Sequence, residues 1–151
     1  VIETVAFLLD SSRNKLWKKS CMRRKIKMIQ YVNKMLREKY GNDIELISAS
    51  SLVEINARIA AKTQKYLQEK EAPITQTLVS FKTMKIGESY ISLICKKESI
   101  PVLFHSKESF DKFAERLCGI YEKAQSAGGR GKEIFDRSFQ IMEKTSGPER
   151  G

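Results

Sequence analysis

Lysine and arginine are the residues of this chain whose type and spacing could do chemistry. Between Arg13 and Tyr40 the sequence RNKLWKKSCMRRKIKMIQYVNKMLREKY carries eleven of them against one glutamate. Lys15, Lys19, Arg23, Lys27 and Lys34 recur at helical spacing, so a helix here presents a cationic flank. Such a flank can neutralise phosphates by displacing the counterions condensed on a polyanion. Arg23, Arg24 and Arg37 offer forked donors that match phosphate geometry, while the lysines act as point charges. Like charges a turn apart repel by roughly a few tenths of a kcal/mol per pair, a cost that suggests the row has a use.

Other chemistries have less material. One histidine, His105, stands next to Ser106, and adjacent residues do not form a nucleophile–base pair; Ser106 is better read as a helix cap. Cys21, Cys95 and Cys118 lie far apart with no CxxC spacing, which fits reduced thiols rather than a zinc site or a disulfide framework. Cys118 falls beside predicted core positions, where cysteine serves as a small hydrophobe. Asp10, Ser12 and Asn14 superficially echo a strand-end Mg²⁺ site, but no second acid is placed to complete it and helix capping explains the same residues. Gly128 to Lys132 reads GGRGK, yet the Walker pattern wants glycine at position 126 and a hydroxyl at 133, where this chain has Ser126 and Glu133. A mobile linker whose Arg130 and Lys132 reach a phosphate is the better version of that idea. No catalytic residue, metal or cofactor is assigned.

Charge narrows the partner further. The formal charge is +10 and the pI about 9.6. Residues 1–40 hold eleven basic and three acidic side chains, a surplus of eight, which leaves +2 for the other 111 residues. A chain that was merely basic for solubility would spread that charge. With 41% hydrophobic and 30% charged residues the chain can bury a core. The first apolar run, Val5 to Leu9, is too short for a secretory or membrane segment. The chain starts at Val1 without methionine, which suggests a domain cut from a longer protein or a processed product.

These side chains must be positioned by the elements around them. Glu3 to Leu9 reads as a strand buried on both faces, followed by the capping residues Asp10 to Ser12. The basic helix follows, with Leu16, Met22, Ile26, Ile29, Val32, Leu36 and Tyr40 as its buried stripe and Gly41-Asn42 ending it. Asp43 to Ala49 is a second strand. Ser51 and Glu54 form a capping box for a helix running to about Lys70, with Leu52, Ile55, Ile59, Thr63 and Tyr66 on one side. Three strands are then expected at Ile74–Lys82, Ser89–Lys96 and Ile100–Phe104, the last with Pro101 favouring a strand start or an edge. Ser106 caps a helix buried through Phe110, Phe113, Leu117, Ile120 or Tyr121, and Ala124. Ala127 to Gly131 breaks it from a last helix at Lys132–Lys144.

The fold expected is thus α+β in the order β-α-β-α-β-β-β-α-α, a mixed sheet with helices packed on it. Residues 1–145 form one domain and 146–151 a frayed tail. A parallel pairing of the first two strands would make a right-handed βαβ unit. In element order alone, the first six elements resemble small nucleic-acid-binding folds of the Alba type. The strand–strand–strand–helix half resembles both Alu-binding signal recognition particle proteins and pleckstrin-homology domains. No residue signature accompanies either likeness, so no functional residue is carried over.

The function expected is a non-catalytic nucleic-acid-binding module, RNA ahead of DNA, gripping phosphates through Lys15, Lys18, Lys19, Arg23, Arg24 and Lys27, with Arg130 and Lys132 as outriders. The alternative is a protein-interaction or phosphoinositide-binding, pleckstrin-like domain within a larger intracellular assembly. Trp17 and the apolar spacing of the basic helix also have the anchor separations of calmodulin targets, but the stripe is needed for the chain's own core. The expected setting is the cytoplasm or nucleus, with nucleic acid and other protein subunits as partners and no membrane span.

Overall fold

The computed structural model describes residues 23–71 and 78–146. The expected strand at 3–9, the capping residues 10–12, Asn14, Trp17, Cys21 and residues 147–151 of the tail lie outside the described residues.

Residues 23–40 are helical (α1), and the helix ends where Gly41 takes a φ of 84° and returns its N–H to the Arg37 carbonyl at 3.0 Å. That left-handed conformation favours glycine, which has no Cβ to clash. Strand β1 spans Ile44–Ala49 and helix α2 Leu52–Lys70. One half of the expected capping box is in place, the Ser51 hydroxyl accepting the Glu54 N–H at 3.1 Å, while the Glu54 carboxylate reaches one residue further back and accepts the Ser50 N–H at 3.2 Å. Hydrogen bonds from Ser50 and Arg58 hold the Glu54 carboxyl below its usual range.

Strands β2 (Val79–Ile86) and β3 (Ser89–Lys96) form a hairpin. It closes on the two-residue turn Gly87-Glu88, with Gly87 at φ 61°. Positive φ at a tight hairpin turn matches the right-handed twist of the flanking strands. The strand expected at 74–82 is described over Val79–Ile86, so Met84 to Ile86, expected in a turn spanning Met84 to Glu88, belong to β2 instead. The sheet order is β1-β3-β2, and both pairings are antiparallel. A mixed sheet requires the segment at 3–9, outside the described residues.

The third meander strand expected at Ile100–Phe104 is instead a single helical turn. After a 3₁₀ turn at Lys97–Ser99 comes α3, Ile100–Leu103, with proline in its first turn. Proline has no N–H to donate to a sheet, but the first turn of a helix needs none. Ile100, Leu103 and Phe104 are buried while Val102 is 64% exposed, an i, i+3, i+4 pattern that a strand cannot make. The order on which the pleckstrin-like likeness rested becomes strand–strand–helix–helix. Helix α4 (Lys107–Ser126) begins at Ser106, whose hydroxyl accepts the Ser109 N–H at 3.2 Å. A 3₁₀ turn at Gly128–Arg130 leads into α5, Gly131–Ser146.

Strand alternation divides the core between the two faces of the sheet. Ile44, Leu46, Ile91, Leu93 and Cys95 face α1, α4 and α5, joined by Val32, Leu36 and four phenylalanines at 110, 113, 135 and 139. Ile47, Ala49 and Ile94 face α2 through Ile55, Ile59, Tyr66 and Leu67. Antiparallel pairing turns the N–H and C=O of Leu46 outward, away from β3, where β1 has no further strand among the described residues. Asn33 of α1 fills that role with one side-chain amide. It accepts the Leu46 N–H at 2.7 Å and donates to the Leu46 carbonyl at 2.8 Å. Leu46 is fully buried, so Asn33→Ala strands two backbone groups. The expected loss is about 1–3 kcal/mol per stranded group before any water enters, read as a lower urea midpoint.

Cys95 and Cys118 are buried free thiols. Burial pushes both from the ordinary 9.0 up to about 12, with Asp43 adding to the shift at Cys95. A group whose value is raised on folding stabilises the fold below its unfolded value and loses that contribution as pH climbs towards the folded one. The thiols thus favour the folded state up to about pH 8.5 and progressively less above it. Peptide mapping after alkylation at pH 8 is expected to leave Cys95 and Cys118 unmodified in the native protein and to find both modified in urea.

Candidate nucleic-acid interface

A helix advances about 100° per residue, so residues 23, 27, 30, 34 and 37 share one side of α1. All five (Arg23, Lys27, Gln30, Lys34 and Arg37) are exposed. On the opposite side Met28, Val32 and Leu36 are buried, so the helix docks on the sheet and turns its cations outward. One expected stripe residue departs from this phase: Ile26 is 52% exposed. It lies more than one residue step from the line through Met28, Val32 and Leu36. The row from Arg23 to Arg37 is about 21 Å long at 1.5 Å per residue.

Six of the described acids pair away from the row. Glu45 pairs with Lys62, Glu115 with Lys82, Asp43 with Lys96 and Glu143 with Lys39. Asp111 pairs with Lys107 and Glu98 with Lys70. No ion pair among the described residues involves Arg23, Lys27, Lys34 or Arg37. Their charge is therefore available to an outside anion. Lys25 turns aside, donating to the Ser89 hydroxyl at the hairpin tip at 3.3 Å.

Helix α5 borders the row on one side. The Tyr31 hydroxyl donates to the Asp136 carboxylate, and its ring meets Phe135 edge-on at 6.3 Å. Burial, followed by that hydrogen bond, pushes the Tyr31 phenol up to about 12, so it stays a neutral donor. Lys132 Nζ lies 5.2 Å from the Tyr31 ring centroid, which sets this cation beside the row. The glycine-rich turn has a packing cause. A Cβ on Gly131 would fall 2.8 Å from the Ala124 carbonyl oxygen, so only glycine lets α5 start this close to α4. The turn follows a helix rather than a strand, unlike a P-loop. It sits against α1: a Cβ on Gly128 would lie 3.8 Å from Arg24 Nη1.

The structure thus places Arg23 and Lys27 on one row, with Arg24 and Lys132 at its α5 border. Arg130 lies in the same turn, but its Nε is 3.6 Å from Glu133 Oε2 with both side chains largely exposed, a weak tie that shares its charge. Lys15, Lys18 and Lys19 lie outside the described residues. Three residues join the site that were not in the expected contact set. Lys34 and Arg37 continue the spacing from Lys27, a signal present in the sequence. Lys65 of α2 has no such signal and is brought near only by the fold.

On its other side α1 borders a cleft of about 560 Å³ between α1, the start of β1 and the second half of α2. Arg37 and Lys65 stand at its walls and Ile44 and Tyr66 are buried beneath it. Among the described residues no group of three or more His, Cys, Asp or Glu side chains converges on a possible metal position. No described helix is long and apolar enough to cross a membrane. No family model, curated protein or solved structure matches the chain, so its function is argued from this geometry.

Proposed function

We propose that the protein binds RNA, without catalysing a reaction on it, by phosphate contacts along the outward row of α1. The single observation that carries this reading is the availability of Arg23, Lys27, Lys34 and Arg37: exposed, aligned and engaged by no described carboxylate. The concentration of charge in the first forty residues points the same way. Arg24 and Lys132 extend the row towards α5. DNA is the weaker candidate for a geometric reason. A helix that reads B-DNA enters a major groove about 12 Å wide. Here α1 is flanked by α5 and, across a cleft, by α2, so it presents a ridge of cations rather than a projecting rod. Binding is backbone-led and indifferent to duplex base edges.

The test is fluorescence anisotropy with a labelled single-stranded RNA at 50 and 200 mM salt. Four phosphate contacts on a single strand give a slope near −2.8, so affinity should fall about fiftyfold between the two conditions. An affinity that ignores salt, or no binding at either concentration, removes the proposal. Co-purification with nucleic acid, seen as a raised ratio of absorbance at 260 to 280 nm, is the expected companion result.

A further inference from the structure

The cleft between α1 and α2 differs from the row that leads to it. The row is a convex ridge, whereas the cleft is concave, with a buried apolar floor at Ile44 and Tyr66. Its volume of about 560 Å³ is that of a small-ligand site. Two of its cations are held in place by neighbours: Lys62 pairs with Glu45 at 3.0 Å, and Lys96 pairs with Asp43 at 3.5 Å while sitting 4.4 Å from the Tyr66 ring centroid. Arg37 and Lys65 line the same space with no ion-pair partner among the described residues. Gln30 and Asn42 add side-chain amides that no described group engages. In all, four cations and two carboxylates, Glu45 and Glu69, line the cleft.

Resting on the RNA-binding reading above, we infer that this cleft takes one unpaired nucleotide of a single-stranded RNA, its phosphate between Arg37 and Lys65 and its base edge on Gln30 and Asn42. Arg37 belongs both to the row and to the cleft, so a strand lying along Arg23, Lys27 and Lys34 arrives at the cleft without leaving positive surface. The amides supply what a splayed base needs, donors and acceptors for its Watson–Crick or Hoogsteen edge. A duplex cannot follow, because its bases are paired inward and its rigid cylinder rests on ridges rather than entering a recess between two helices. An acidic peptide would satisfy Arg37 and Lys65 but would leave the unengaged amides and the apolar floor unexplained. The site therefore distinguishes unpaired from paired RNA, which the row alone cannot do.

Two double variants separate the cleft from the row. Asn42→Ala/Lys65→Glu alters only exposed cleft residues outside the row, and Arg23→Glu/Lys27→Glu alters the row; matching thermal melts confirm that both fold. The probes are labelled dodecauridylate and a twelve-base-pair RNA duplex. The cleft variant is expected to lose at least tenfold in affinity for dodecauridylate and to stay within twofold of the parent for the duplex, while the row variant weakens both. In the parent protein, dodecauridylate should shift the side-chain amide resonances of Gln30 and Asn42 and the duplex should not. Equal losses for the two probes in the cleft variant, or no loss for dodecauridylate, overturn the inference and leave the row reading standing. If the parent binds neither probe, the row reading falls and the cleft assignment with it. Displacement of dodecauridylate by a glutamate-rich decapeptide as effectively as by unlabelled strand would make the cleft a peptide site and also overturn it.

Discussion

The triple variant Arg23→Glu/Lys27→Glu/Lys34→Glu should bind RNA at least a hundredfold more weakly than the parent, with its fold intact. Each cation that meets a phosphate at about 4 Å gains on the order of 1 kcal/mol in water-like surroundings, and reversing its sign converts that gain into a similar penalty. Three reversals therefore nominally move the balance by about 6 kcal/mol before screening; a hundredfold loss needs only about 2.7 kcal/mol. The salt dependence should flatten too, losing about two units of slope as three phosphate contacts disappear. Stability should hardly move. All three residues are exposed and none has an ion-pair partner among the described residues, so no buried group is stranded by the change. Three glutamates on one side of α1 repel one another about as much as the three cations did. Anisotropy titrations alongside a urea melt separate the two quantities. Unaltered binding with intact folding would count against α1 as the contact surface.

The largest effect on folding is expected from Phe113→Ala. Phe113 is 1% exposed and lies where α1, α3 and α4 meet. Its ring centroid is 6.1 Å from that of Tyr40 in an edge-to-face arrangement and 5.3 Å from that of Phe104. Truncation removes the transfer energy of the ring and leaves a cavity that three packed elements cannot easily close. The expected cost is about 3–5 kcal/mol. Single domains are stable by only about 5–15 kcal/mol, so this one change would consume a large share of the total. Phe81→Ala is the internal control: the same ring on β2 is 42% exposed and its loss should cost far less. Urea denaturation of both variants gives the comparison, and equal midpoints would mean that the core on the α1 face of the sheet is not organised around Phe113.

Hydrogen bonds and periodicities that act within a few residues were legible before any fold was known. Ser51 and Ser106 cap their helices because the donors they satisfy lie three residues away, and Gly41 ends α1 because the conformation needed there is local. The β-forming run of Ser89–Lys96 and the apolar spacing from Phe110 to Ala124 likewise identify their own elements. The surplus of cations in the first forty residues, and the spacing that aligns Arg23, Lys27 and Lys34, are properties of the chain alone.

Tertiary packing decided the remainder. Apolar IPVLF suits either a strand or a helical turn, and the core accepted Ile100, Leu103 and Phe104 together, which only the turn can offer. On α1 the apolar residues spread over more than half the circumference, and contact with the sheet and α5 selected Met28, Val32 and Leu36 while leaving Ile26 in solvent. Arg37 and Lys65 are twenty-eight residues apart and come to one cleft because α1 and α2 cover opposite faces of the sheet beside the same edge strand. Charge and local geometry travel with the chain, whereas proximity between distant side chains exists only once the sheet has set the helices in place.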